Sequence, residues 1–193
     1  MIALAEGKTR DAISEDFLAR WQIAAGLRSG TLAEKIKFFL SPSAWPLSDY
    51  FMIAKYPKNL LKRSQRVGRE LYGLLGVARG DKKARDAQWA KNYEFFGAPT
   101  VLFVFIHKKL GVFAANDAGL FAENLILSAH AKGLGTCAQG AVALWPSAVR
   151  KLFSVPKHYK LIYGIAIGYR SDAEVNSFQA HRIDIDELLI AKR

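Results

Sequence analysis

The stretch NDAGLFAENLILSAHAKGLGTCAQG, Asn116 to Gly140, decides how the rest of the 193-residue chain is read. Between Asn116 and Lys132 it places Ala118, Phe121, Ala122, Leu125, Ile126 and Ala129 on one broad face at helical spacing, and Gly119 and Ala131 leave room for close approach. Gly133 tolerates a left-handed backbone and ends the helix. The run from Gly133 to Ala138 fits a relaxed dinucleotide-binding fingerprint, but that fingerprint must follow a strand and open a helix. Here it follows a helix. A Rossmann unit is therefore excluded, and a long, small-residue central helix becomes the organising element.

Working outward, Thr100 to Ile106 is continuous, β-branched and aromatic, which predicts a central strand buried on both faces. Leu161 to Tyr169 predicts a second, with Gly164 and Gly168 marking close backbone passage. Thr31 and Glu34 have the capping-box spacing and predict a helix to about Leu40. Val67, Leu71, Leu74 and Leu75 predict a helix from Arg63 that stops at Gly76. A further helix is expected from the N-cap Asp81 toward Phe95, broken by Gly97-Ala-Pro99, and another from Pro146 to Phe153. Arg20 to Ala25 reads as a short strand, residues 41–60 as an ordered loop rich in proline and aromatics, and Asp184 to Ala191 as a terminal helix. Helices between separated strands without a regular βαβ rhythm give an α+β class, and 1–193 reads as one domain with a divergent segment at 1–20.

Roughly half the residues are hydrophobic, with 12 Phe, 7 Tyr and 4 Trp, so the chain can bury a core. The charge of +11 favours phosphate-bearing partners. The basic residues fall between aliphatic positions at helical spacing, as on a solvated face, and no nucleic-acid module accompanies them, so nucleic acid is not expected as a partner. No apolar run is long enough for a membrane span and no signal-peptide core precedes Arg10, so a cytoplasmic protein with no membrane partner is expected. The single cysteine, Cys137, cannot form an intramolecular disulfide, and redox chemistry would need a cofactor.

Several familiar chemistries fail on spacing. Gly7-Lys8-Thr9 lacks the upstream glycine of a phosphate-binding loop, since Ile2 stands there. His107, His130, His158 and His181 are never spaced as zinc ligands, so no metal is expected. Cys137 has no nucleophile signature and reads as a small packed residue or, less simply, as a reactive thiol.

What remains resembles the nitroreductase family. The resemblance rests, in order, on Trp21-Gln-Ile, Gly97-Ala-Pro99 before a hydrophobic strand, Asp117-x-Gly119 opening the long helix, Gly133-Leu-Gly-Thr-Cys137 at its end, Val155-Pro156, Ile167-Gly168-Tyr169, Asn176 and Arg182. It implies a nitroreductase-like three-layer α+β sandwich, with a mostly antiparallel central sheet flanked by helices. It also implies a homodimer formed through the long central helix, with FMN at the subunit interface. Such proteins pass electrons from NADH or NADPH through the flavin to a small-molecule electron acceptor such as a nitroaromatic or quinone. The flavin carries the chemistry, so no catalytic side chain is expected.

Carried onto this sequence, the resemblance makes Thr136 to Ala141 a loop running past the flavin ring, with Cys137, Ala138, Gln139, Gly140 and Ala141 as cofactor-binding positions. The amide best aligned with Gly140 faces the reactive flavin nitrogen, where a peptide donor stabilises negative charge. Arg182 matches an arginine that binds the FMN phosphate. Ser14 is the one residue kept from a Pro-Ser-x-x-Asn-x-Gln-Pro-Trp segment that embraces the flavin. The family's Arg-Arg-Ser-x-Arg phosphate clamp has no counterpart, with only Lys8 and Arg10 as cations in that region. The alternative is a flavin-deficient nitroreductase-fold homodimer that binds a phosphorylated ligand or a protein partner. Trp45, Tyr50, Trp89 and Phe96 are candidates to stack on an aromatic acceptor, with core packing as their plainer role.

Overall fold

Residues 1–50 and 56–190 are described by the computed structural model of the protein. They form two compact units, residues 1–50 with 82–170 and residues 56–81 with 171–190.

The first unit is built on a four-stranded antiparallel sheet in the order β1-β2-β4-β3. Its strands are β1 (Ile2–Glu6), β2 (Thr100–His107), β3 (Leu134–Gln139) and β4 (Tyr159–Tyr169). The expected strand at Thr100 is β2, and it is central and buried. Val101, Phe103 and Phe105 enter one core with Ile13, Phe17, Trp21, Trp145 and Leu161. Val104 and Ile106 enter a second core with Ala114 and Ala118. Alternation along one strand thus feeds two layers. Helix α1 (Gly7–Ser29) packs against β1 and β2 and shares the first core, and helix α5 (Gly111–Ala131) packs against β2, β3 and β4. The class is α+β, with helices on both faces of an antiparallel sheet.

Three local signals in the sequence hold in the structure. Thr31 caps α2 (Leu32–Phe39) in a full capping box with Glu34. The Gly133 stop holds, with φ of 75° closing α5. Gly164 and Gly168 do mark close passage: a Cβ at Gly168 would lie 2.8 Å from Pro99 and one at Gly164 3.0 Å from Val142.

Other boundaries differ. The segment from Arg20 to Ala25 is not a strand but lies inside α1. Ile13, Phe17 and Trp21, all buried, repeat at four-residue spacing, and that stripe continues through the supposed strand. β1 was not expected. Its inward residues are Ala3 and Ala5 while the larger Ile2 and Leu4 face out, so its alternation carries little hydrophobic contrast. α5 begins at Gly111, earlier than Asn116. Helix α4 (Lys82–Ala90) ends before Phe95, because the chain turns there through Phe95 and Phe96, both with positive φ near 50°. α6 (Pro146–Arg150) starts at its proline as expected and is shorter. The segment read as a loop from Thr136 is strand β3 as far as Gln139.

The second unit holds helix α3 (Lys58–Leu74), which ends at Leu75 and Gly76 as expected but starts before Arg63. Lys58 to Leu60 therefore belong to a helix and not to the expected loop, of which 51–55 lie outside the described residues. Glu174–Ser177 is a short 3-10 turn packed on α3. The expected terminal helix from Asp184 is a single 3-10 turn, Ile185–Glu187, and its last residue, Ala191, lies outside the described residues.

Candidate active site

Three side chains converge on three consecutive carbonyls. The Gln139 amide Nε2 donates to the Asn92 carbonyl at 2.7 Å, the Ser14 hydroxyl to the Tyr93 carbonyl at 2.7 Å, and the Arg10 guanidinium to the Glu94 carbonyl at 2.9 Å. These donors come from β3 and from two turns of α1, and they hold the turn that leads into the left-handed Phe95 and Phe96. Non-glycine residues in that conformation cost free energy and persist only where surroundings fix them. The end of β3 is thereby tied to α1 through the 92–94 turn.

β3 is an edge strand, so one of its sides has no strand neighbour among the described residues. Cys137 and Gln139 point toward the core while Ala138 is exposed. Burial pushes the Cys137 thiol up from its ordinary 9.0, which keeps it neutral and packed. Gln139 is 2 % exposed, and its Oε1 is a buried acceptor without a hydrogen-bond partner among the described residues. Gly140 follows with φ of −71° and ψ of −27°, and a Cβ there would meet nothing within 4 Å. Neither backbone conformation nor the chain's own packing requires glycine at that position. Its effect is to leave room above the peptide.

Gly140 and Ala141 form part of the wall of a cavity of about 490 Å³. The opposite walls come from α1, α2 and α4, with Trp21, Phe38 and Trp89, and from Trp145. The indoles are positioned by the backbone. Trp21 Nε1 donates to the Asp86 carbonyl at 3.0 Å, and Trp145 Nε1 donates to the Trp45 carbonyl at 3.0 Å. Trp21 and Trp89 stack with centroids 5.9 Å apart. Cavities of this size and apolar character are typical of small-molecule sites.

The expected cofactor positions Cys137 to Ala141 are thus contiguous at one end of the sheet, and two of them reach the cavity. The small-residue strand end and the room over Gly140 fit a planar ring such as flavin. Ser14 is 7 % exposed, and its hydroxyl is spent on the Tyr93 carbonyl, so its structural partner is the core. Arg10 is likewise engaged, with Asp11, with the Glu94 carbonyl and over the Phe95 ring. Arg182 lies in the second unit, exposed, with Nη1 donating to the nearby Ala180 carbonyl at 2.9 Å. Of the four aromatic candidates, Trp89 lines the cavity, Tyr50 packs on the second core beneath the Lys160 ammonium, Trp45 donates its indole N–H to the Phe38 carbonyl, and Phe96 is half exposed. Sequence reasoning missed Trp21 and Trp145 as cavity walls. The helical spacing of Trp21 with Phe17 and Ile13 was the available signal for the first.

Among the described residues no helix is long and apolar enough to cross a membrane. The Nitroreductase family model matches residues 4–169, a stretch that begins well before Trp21 and ends before Asn176 and Arg182. A 4-nitrobenzoate reductase from Pseudomonas putida is 32% identical over 146 residues, covering 73% of this chain and 62% of that protein. A 4-nitrobenzoate reductase from Nocardioides sp. (strain LMS-CY) is 36% identical over 109 residues, 56% of this chain and 44% of that protein. The chain spans about half the length of these curated relatives. Among solved structures, the FMN- and NADPH-dependent nitroreductase NfnB from Sphigopyxis sp. strain HMH superposes with a TM-score of 0.84 at 25% identity, over 100% of this chain and 79% of that one. With the family pattern running through sheet, central helix and the Gly140 turn alike, the chain belongs to the nitroreductase family.

Proposed function

We propose that the protein is an FMN-dependent oxidoreductase that uses NADH or NADPH to reduce nitroaromatics, quinones or related small acceptors, acting as a cytoplasmic homodimer. The observation that carries this reading is the cavity walled by Gly140, Ala141 and three indoles at the open edge of the sheet. The relatives named for nitroaromatic reduction add to it. Bound FMN would supply reversible two-electron transfer between the nicotinamide and the acceptor. The chain's part is to bind, orient and exclude water. The Gly140 peptide leaves room for close approach, and the indoles wall an aromatic molecule off from solvent.

The homodimer is supported by α5. Its sheet-facing side buries Ala114, Ala118 and Ala129, while Phe113, Leu120 and Leu127, spaced one heptad apart, are more than half exposed. A helix apolar on both sides is one that packs on both sides. The lone Cys137, with its half-buried thiol, accords with a reducing compartment.

The test is turnover. FMN-loaded protein is expected to oxidise NADPH or NADH only when a nitroaromatic or quinone acceptor is present or oxygen takes its place, and flavin removal is expected to abolish the activity. Nicotinamide oxidation that is no faster than that of free FMN would overturn the reading. The flavin-deficient homodimer is favoured by one observation, that Arg10 and Ser14 are both committed to the 92–94 turn and unavailable to a phosphate.

A further inference from the structure

Two opposite walls of the cavity, Gly140 and Trp89, are joined by a chain of hydrogen bonds that runs through residues outside the cavity's lining. One residue before Gly140, the Gln139 amide Nε2 donates to the Asn92 carbonyl at 2.7 Å. The Asn92 side chain donates in turn to the Trp89 carbonyl at 3.0 Å, and the Trp89 indole N–H reaches the Tyr93 hydroxyl at 3.3 Å. Tyr93 is fully buried and packs its ring against Trp21 and Trp145. The turn that receives the Gln139 bond is itself held, because Ser14 and Arg10 donate to its next two carbonyls. Glutamine is a poor filler for its place. It is 2% exposed and its Oε1 has no partner among the described residues, so an apolar side chain of the same size would fill the volume without stranding an acceptor. What the amide adds is the bond to Asn92.

We infer that Gln139 is a positioning residue, a strut that fixes the gap between the Gly140 peptide and the Trp89 indole through Asn92. It acts on a bound ring through those two groups and not by contact. Groups that meet a ligand keep their geometry within about 0.5 Å only where buried hydrogen bonds and packing lock them, and the Gln139–Asn92–Trp89 chain is such a lock. The inference rests on the proposed function only in taking the ring between the two walls to be that of FMN.

The experiment compares wild type, Gln139→Met, Asn92→Ala and the double variant as full chains. Gln139→Met keeps the volume and loses the donor, while Asn92→Ala keeps the carbonyl and cuts the next bond, at a half-buried position where the fold is least at risk. The first readout needs no flavin: in two-dimensional NMR, Gln139→Met is expected to shift the indole N–H signal of Trp89, and Asn92→Ala the backbone amide signal of Gly140. The second is an FMN titration. Each single variant is expected to bind about ten-fold more weakly, the effect of one lost hydrogen bond, and to alter the absorbance spectrum of the bound flavin, which a loss of stability alone would leave unchanged. The double variant should lose little more than either single one, since the second cut falls in a strut already broken. A Trp89 signal unmoved by Gln139→Met and a Gly140 signal unmoved by Asn92→Ala would overturn the inference whether or not FMN binds. So would single variants that bind FMN as tightly as wild type, or losses that multiply in the double variant. Failure of the wild-type chain to bind FMN contradicts the flavin reading alone, and the NMR signals then decide the strut.

Discussion

Trp145→Ala is expected to destabilise the first unit by about 3–5 kcal/mol, the range for removing a large aromatic from a packed core. Trp145 is 1% exposed, its ring lies 5.3 Å from that of Tyr93, and its N–H serves the carbonyls of Ala44 and Trp45. Truncation removes the ring and takes the indole donor from the Ala44 carbonyl, while the Trp45 carbonyl keeps the Leu47 amide. Typical domains have only about 5–15 kcal/mol of stability, so this one change consumes a large part of it. Because Trp145 is also a cavity wall, the loss should be accompanied by weaker binding of any aromatic ligand. Trp145→Phe keeps most of the ring and should recover more than half of the stability. Denaturant midpoints for the three proteins check this, and a Trp145→Ala midpoint equal to that of wild type would refute the packing described for this core.

Asp16→Asn is expected to cost roughly 3 kcal/mol, at the low end of the penalty for stranding one partner of a buried ion pair, since the carboxylate is one-fifth exposed. Asp16 pairs with Arg20, four residues on in α1, and with Lys151. The Arg20 side chain is 8% exposed and also donates to the Ser43 carbonyl and the Ser147 hydroxyl. Burial alone would push the Asp16 carboxyl up, but hydrogen bonds and charge from Arg20 and Lys151 together outweigh it and hold the group below its ordinary 3.8. A carboxyl whose folded value is depressed stabilises the fold above the unfolded value. That contribution fades as pH falls through the lower folded value. Acid unfolding below about pH 4 should therefore show a component that Asp16→Asn removes. Identical acid limbs in wild type and variant would show that the pair contributes nothing to this dependence.

The elements that were legible in the sequence are those in which one local signal dominates. The Thr31–Glu34 capping box is a pair of side chain to backbone bonds encoded in four residues, β2 is a continuous β-branched and aromatic run, and Gly133 is a stop written in one residue. α1 was misread because a six-residue window around Trp21 looks apolar throughout, and only the longer stripe from Ile13 shows the helical period. β1 hid because its buried side is two alanines. The site was half legible. The order of small residues from Gly133 to Ala141 located one wall, but the facing indoles are distant in sequence and are brought there by α1, α4 and the turn before α6. The commitment of Ser14, Arg10 and Gln139 to three carbonyls of one turn depends on backbone geometry at Phe95 and Phe96 that no residue type announces.

The most direct test of the central claim is an FMN titration of the flavin-stripped protein, followed by flavin absorbance and fluorescence, with Gly140→Val alongside. The account predicts saturable binding by the wild-type chain. Valine at 140, which the chain itself has room to accept, should weaken that binding at least ten-fold without loss of fold. Binding unchanged by Gly140→Val would move the flavin away from the end of β3, and no saturable binding at any FMN concentration would contradict the flavoenzyme reading and leave the flavin-deficient dimer.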